Sequence, residues 1–143
     1  MAYDFQVVID TNDPHTLADW WADALGWRVE PQDESFIRAM IEKGYATDDD
    51  TTTHRGAVVW KAGAAIRHPD GLERAPRVLF QQVPEPKTIK NRVHLDIRVG
   101  ADNIESVVEK LTAKGATVLH RGRQGPNWWI TIADPEGNEL CIS

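Results

Sequence analysis

From the amino terminus, Phe5, Val7 and Ile9 alternate with Gln6, Val8 and Asp10, the period of two expected of a strand with one face on a core. Asp13-Pro14 then supplies a cap and a first-turn proline. Leu17, Trp20, Trp21 and Ala24 follow at i, i+3, i+4 and i+7, so a helix is predicted, stopping near Gly26. The alternation over 27–30 predicts a short second strand. The same order of signals returns later in the chain. Val93, Leu95, Ile97 and Val99 alternate with His94, Asp96 and Arg98, and Asp102 with Glu105 makes a capping box. Ile104, Val107, Val108 and Leu111 stand in the second helix where Leu17, Trp20, Trp21 and Ala24 stand in the first, each 87 positions on, and Gly115 replaces Gly26 as the stop signal.

This shared spacing predicts an internal duplication. Further strands are expected over 57–60 and 77–83 in the first half and over 127–133 and 139–142 in the second. Ala133-Asp134-Pro135-Glu136-Gly137 has turn residues where a hairpin between the last two strands needs them. Pro84-Glu85-Pro86-Lys87 cannot continue a central strand and reads as a linker. Phe36, Ile37, Met40 and Ile41 have helical spacing, so an extra helix is expected over 35–43, and the polar stretch 47–55 reads as an exposed loop. Each half is then βαβββ. The expectation is a single α+β domain, 1–143, of two modules: 1–86, carrying an inserted helix and loop at about 35–70, and 87–143.

The chain has 143 residues, 41% of them apolar, enough for one core without staples and too few for two ordinary domains. Its start, Met1-Ala2-Tyr3-Asp4, is not basic, and no apolar run approaches the roughly 18 residues a membrane span needs. A soluble protein with no membrane partner is expected. One cysteine, Cys141, forms no internal disulfide, which fits a reducing compartment, with cytoplasm the default. A net charge of −6 offers no basic footprint for phosphate backbones, so a nucleic-acid partner is not expected.

Two βαβββ halves, a Trp-rich first helix ending in Leu25-Gly26-Trp27, the stretches Phe80–Lys87 and Asn91–Asp96, and the terminal Asp134-Pro135-Glu136-Gly137-Asn138-Glu139 resemble the glyoxalase/bleomycin resistance/dioxygenase, or vicinal oxygen chelate, superfamily, in its glyoxalase-like branch. The resemblance implies an incomplete eight-stranded barrel around a concave cavity, and a homodimer. In members with a metal, one ligand comes from the first strand and one from the fourth strand of each half. Aligned to that pattern, Gln6, Gln81, His94 and Cys141 fall at the four places, with Phe80 or Gln82 replacing Gln81 if the strand register slips. Only His94 is an ordinary member of such a set. Gln, Gln, His and Cys suit neither a hard cation nor zinc, so no cofactor is expected, and a divalent metal is the alternative.

Alternation places His94, Asp96 and Arg98 on the concave face, together with Gln6 and Asp10 from the first strand. Asp96 is expected either to orient His94 or to pair with Arg98; Asp10, Asp96 and Arg98 are equally readable as a structural ion-pair cluster. Six tryptophans are many for this length. Trp20 and Trp21 read as core, whereas Trp60 and Trp129, on strands, are the expected aromatic walls of a ligand cavity. His54-Arg55-Gly56 is placed where a loop could reach the cavity mouth. Asp48-Asp49-Asp50 lacks the glycine and glutamate of a calcium loop. His120 and the run Arg121-Gly122-Arg123-Gln124-Gly125 read as a flexible basic turn, and Cys141 as a buried, inert thiol. The expected function is small-molecule binding or sequestration at Gln6, Asp10, Trp60, His94, Asp96, Arg98 and Trp129, without a metal. The alternative is a metal-dependent lyase, isomerase or dioxygenase using His94 and Gln6.

Overall fold

The computed structural model describes residues 1–143. The fold is α+β, with three α-helices and ten strands, and the chain divides into two compact units, Met1–Glu85 and Pro86–Ser143.

In the first unit, β1 (Val7–Thr11) leads into α1 (Pro14–Leu25). The helix starts where Asp13 accepts from the Thr16 amide and hydroxyl, satisfying one of the orphan donors of the first turn. It ends where Gly26 takes φ 68°, a left-handed conformation that glycine adopts without steric cost. Its Leu17, Ala18, Trp21 and Ala22 are buried. β2 (Arg28–Val29), β5 (Gly63–Arg67) and β6 (Val78–Gln82) complete an open sheet of order β1-β6-β5-β2, with β1 and β6 parallel. In the second unit, β7 (Leu95–Ile97), α3 (Ile104–Ala113), β8 (Thr117–Gln124), β9 (Asn127–Ala133) and β10 (Glu139–Ile142) repeat the plan. The sheet order is β7-β10-β9-β8, with β7 and β10 parallel. Strand for strand this is the topology of the first unit, as expected of a duplication.

The insertion follows β2. α2 (Glu34–Glu42) is capped by Asp33, which accepts from the Ser35 and Phe36 amides, but of its apolar positions only Ile37 is fully buried. The expected loop at 47–55 is instead a 3₁₀ turn, Asp48–Asp50, followed by β3 (Thr51–His54), which pairs with β4 (Ala57–Trp60) in a separate two-stranded sheet. Polarity misleads here: three consecutive β-branched threonines favour a strand, and Arg55 and Gly56, at φ 50° and 80°, make the two-residue turn a hairpin needs. Arg55 and His54 both bind the Asp19 carboxylate of α1, at 3.0 and 2.7 Å, so they fasten the hairpin to α1. β4 is therefore not the third strand of the first module. That strand is β5, whose Ala64, Ala65 and Ile66 are all buried, a pattern without alternation and so without a strand signature in sequence.

Other expectations are also corrected. Phe5 and Val93 lie before their strands and are 73% and 80% exposed. The Asp102–Glu105 capping box does not form: Ala101–Asn103 is a 3₁₀ turn, and Glu105 binds Arg121 through both carboxylate oxygens. The supposed basic turn 121–125 belongs mostly to β8, an eight-residue edge strand. The 133–139 turn stands as predicted. Buried Asp134 accepts from the amides of Glu136 and Asn138 at 2.9 Å and from Asn138 Nδ2 at 3.0 Å.

One ion-pair network ties the ends of the first sheet. Arg77 grips Glu30 with Nε and Nη2 at 2.8 and 2.9 Å, Arg67 Nε donates to the same carboxylate, and Arg77 Nη1 donates to Gln6 Oε1 at 3.0 Å. The Arg77 bonds hold the Glu30 carboxyl below its ordinary range, Arg67 adding to them against the opposing effect of burial. A carboxyl so lowered stabilises the fold above its unfolded value near ~4.3 and loses that contribution as pH falls through the folded one. Glu30→Gln is therefore expected to cost about 2 kcal/mol at neutral pH, and the gap to wild type should be smaller at about pH 3 than at neutral pH. Urea denaturation of both proteins at the two pH values checks this; a gap that stays constant would mean the charge is irrelevant.

Candidate functional site

The second sheet positions the site through its register. Asp96 lies opposite Cys141, Cys141 opposite Thr131, and Thr131 opposite His120, one row running across β7, β10, β9 and β8. Because side chains alternate faces, Leu95, Ile97, Ile130, Ile132, Leu140 and Ile142 take the other face, where the four isoleucine and leucine side chains of β9 and β10 are fully buried. Two residues along from the row, on the same face, come Trp129 and Ser143, and Gly122 pairs with Trp129.

A cavity of about 420 Å³ opens on this face, lined among others by Lys90, His94, Asp96, His120, Trp129 and Cys141. His94 Nδ1 lies 3.2 Å from Asp96 Oδ1, so of the two expected roles for Asp96 it is the imidazole that the carboxylate meets. Arg98, exposed on the same strand line, forms no ion pair and does not line the cavity. The Cys141 thiol is 3.2 Å from Thr131 Oγ1 and 3.9 Å from His94 Nδ1. Burial pushes it above the ordinary thiol range, the Thr131 bond opposes that, and the Asp96 charge pushes it further up. It therefore keeps its proton at neutral pH, which makes it a poor nucleophile. Glu139, its side chain 10% exposed, receives Lys90 Nζ and the Asn91 amide on its two oxygens at 3.0 and 2.8 Å.

The first unit holds the remaining expected site residues, and they do not share this cavity. Gln6 is exposed ahead of β1 and bound to Arg77. Asp10 is exposed on β1 opposite Gln81. Trp60 is half-buried on β4; its amide donates to Gln32 Oε1 at 2.7 Å and its carbonyl accepts from His15 Nε2 at 2.8 Å. Its side chain lines a different cavity, of about 450 Å³, with Tyr45, Asp49 and Gln82.

The duplication tests the implied metal positions. Val83 N donates to Thr11 O, and Ser143 N to Ile97 O, each at 2.9 Å, so Thr11 and Ile97 are equivalent. Asp10 opposite Gln81 then matches Asp96 opposite Cys141. Two residues back, the counterpart of His94 is Val8, not Gln6, whose place was misjudged because strand alternation fixes a face but not a register. The four places thus hold Val8, Gln81, His94 and Cys141: a residue with no donor, a neutral amide, an imidazole and a thiol. Asp96 adds a carboxylate, and the ligand atoms of His94, Asp96 and Cys141 lie within 4.8 Å of one another. As a whole the set does not fit the divalent ion that the resemblance implies.

The model of the glyoxalase-like domain matches residues 6–143. The chain belongs to that family. Solved structures with this fold include a glyoxalase/bleomycin resistance protein/dioxygenase family enzyme from Burkholderia phytofirmans PsJN, at 14% identity, covering 96% of this chain and 94% of that one with a TM-score of 0.62. The fosfomycin resistance protein FosX from Mesorhizobium loti is 9% identical over 99% of this chain and 90% of its own, TM-score 0.61. A possible glyoxalase from Bacillus cereus is 12% identical over 96% and 94%, TM-score 0.58. At these identities the likeness is one of fold. No curated protein sequence matches the chain. No helix of this glyoxalase-like protein is long and apolar enough to cross a membrane.

Of the ligand-site residues expected from the sequence, the cavity brings together His94, Asp96 and Trp129; it is also lined by Cys141, expected as an inert thiol, and by Lys90, Thr131, Gln124 and Ser143, which carried no ligand-site expectation. His120 was noticed but assigned to a turn. The signal that finds it is the hairpin itself: once Gly125, at φ 58°, is taken as the turn between two strands, counting back from Thr131 places His120 across from it.

Proposed function

We propose that this glyoxalase-like protein binds a small organic molecule in the cavity of its second unit, against Trp129, without a divalent ion. The observation that carries the reading is the single sheet face on which Trp129 meets His94, Asp96, His120 and Cys141 around about 420 Å³. A space of that size with one apolar aromatic wall and a few placed polar groups is what small-molecule sites offer. What supports a metal-free site is that two of the four positions a metal would use hold Val8, which has no donor, and Gln81, a neutral amide. One neighbour in fold is by its name a resistance protein, and holding a small molecule, to sequester or to transform it, is the role assigned here. In this reading the protein works as a cytoplasmic homodimer, on the family analogy, with neither nucleic acid nor membrane as partner.

The test combines elemental analysis, light scattering and a calorimetric screen of small organic molecules on wild type and Trp129→Ala. A metal-free dimer is expected, with a ligand whose affinity falls at least about tenfold when the indole is removed. One tightly held ion per chain, lost in His94→Ala, would replace this reading with a metal-dependent lyase, isomerase or dioxygenase centred on His94, Asp96 and Cys141. Unchanged binding in Trp129→Ala would mean that the ligand sits elsewhere.

A further inference from the structure

Three arginines crowd one end of the first sheet. Arg28 on β2 and Arg67 on β5 stand directly opposite each other, so their side chains leave the sheet on one face, with Cβ atoms about 5 Å apart. Like charges so placed repel. Arg77 joins them through Glu30, whose Oε1 accepts from Arg67 Nε and Arg77 Nε and whose Oε2 accepts from Arg77 Nη2. No other carboxylate pairs with any of the three, and Asp70, the first acid beyond β5, meets His68 instead. Three guanidiniums against one carboxylate leave an excess of two positive charges. A structural tie between β1, β5 and β6 accounts for Glu30, Arg67 and Arg77, and it leaves Arg28 out. Arg28 is exposed, and its five N–H donors bond to nothing in the protein. Arg67, its side chain 48% exposed, spends only Nε, so both of its terminal nitrogens are unspent. Arg77 spends all three of its nitrogens, the last on Gln6 Oε1.

We infer that this face of the first unit is an anion site that takes a phosphoryl dianion between Arg28 and Arg67, with Glu30 and Arg77 positioning Arg67. None of its residues lines the cavity of the second unit, so it stands or falls apart from the ligand reading given above. Two neighbouring guanidiniums with unspent forks, one of them anchored by a carboxylate that is itself gripped from behind, present the geometry that receives an oxyanion through paired N–H donors. The charge decides the class. A phosphate monoester carries about 1.5 to 2 negative charges at neutral pH, which meets the excess of two, whereas a carboxylate supplies only one. An anion there also relieves the repulsion across β2 and β5 that Glu30, already bonded three times, leaves standing.

Inorganic phosphate, methyl phosphate and acetate, titrated by calorimetry into the protein at neutral pH and low salt, test the site. Phosphate is expected to bind once per chain and at least about tenfold more tightly than acetate, the margin of one further charge-assisted hydrogen bond. Its affinity should fall as salt is raised, since the guanidiniums are exposed. Methyl phosphate separates two sources of the same group: binding like that of phosphate marks the headgroup of a larger molecule, and exclusion of the ester marks free phosphate. Arg28→Gln removes a charge that nothing in the protein pairs with, so the fold should stand while phosphate affinity drops at least about tenfold. Melting curves give a second readout. Phosphate should raise the melting temperature of wild type and leave that of Arg28→Gln unmoved, and without phosphate the variant should melt no lower than wild type, because the repulsion with Arg67 is gone. Arg123→Gln, which removes an exposed guanidinium of β8, should bind phosphate as wild type does. Absence of phosphate binding, equal binding by wild type and Arg28→Gln, equal losses in Arg28→Gln and Arg123→Gln, or acetate matching phosphate would each overturn the site.

Discussion

Trp21→Ala should lower the stability of the first unit by about 3 to 5 kcal/mol, the cost of truncating a large aromatic in a closed core. Trp21 is 1% exposed on the inner face of α1, its ring 6.3 Å from that of Phe80 on β6 and 5.9 Å edge-on to Trp20. Phe80 is itself fully buried, and β5 beside it offers only the small Ala64 directly opposite. Small neighbours on a sheet cannot swing in to fill the space an indole leaves, so the cavity term adds to the lost transfer energy. Urea unfolding followed by circular dichroism measures the difference. A loss below about 1 kcal/mol would mean that α1 resettles on the sheet and that the helix is not held by this residue.

That core was readable in the sequence because both of its periodicities are strong. Leu17, Trp21 and their neighbours mark a helix face, and Val7 and Ile9 mark a strand, so each half announced its βα unit. The structure departs from the reading where period and polarity say little. β5 carries small apolar residues on both faces and shows no alternation. β3 is polar on both faces, in a two-stranded sheet, and β8, on an edge, has only Val118 and Leu119 as apolar residues, next to each other and without alternation, so hydrophobic patterning had little to report. The site followed the same rule. Asp96, Trp129 and Cys141 lie on strands whose partner faces are apolar, His94 stands one residue before β7, and alternation alone turned them to one side. Gln6 and Arg98 obeyed the alternation too and yet do not line the cavity, because a face is not a position: pairing with Arg77 takes Gln6, and Arg98 lies beyond the strand's end. Lys90 stands in a loop, where no periodicity applies.

Gly122 joins the fold to the site, and Gly122→Ala should damage both. The residue sits mid-strand in β8, paired with Trp129, and its backbone is not in the left-handed region, so an alanine there is unstrained in itself. The obstacle is the neighbour: a Cβ would lie 2.3 Å from Trp129 Cε2 and Cζ2 and 2.6 Å from Nε1, well inside van der Waals contact. Glycine is needed because the indole occupies the space a side chain would take. The added methyl must drive the ring off β8, and the cost should fall in the range of overpacked cores, about 1 to 3 kcal/mol. On the proposed reading, binding should suffer more than stability, at least about tenfold, because the displaced ring would be the wall that receives the ligand. The companion change separates the two effects. In Gly122→Ala/Trp129→Leu the smaller side chain makes room for the methyl, so stability should recover towards that of Trp129→Leu alone, a coupling that a double-mutant cycle reads directly. Ligand affinity should stay low, since leucine offers no flat aromatic surface. Recovery of both together would mean that filling the space suffices and that the ring has no special part in recognition. If neither is lost in Gly122→Ala, the indole has an equivalent resting place, and the wall of the cavity is not where this geometry puts it.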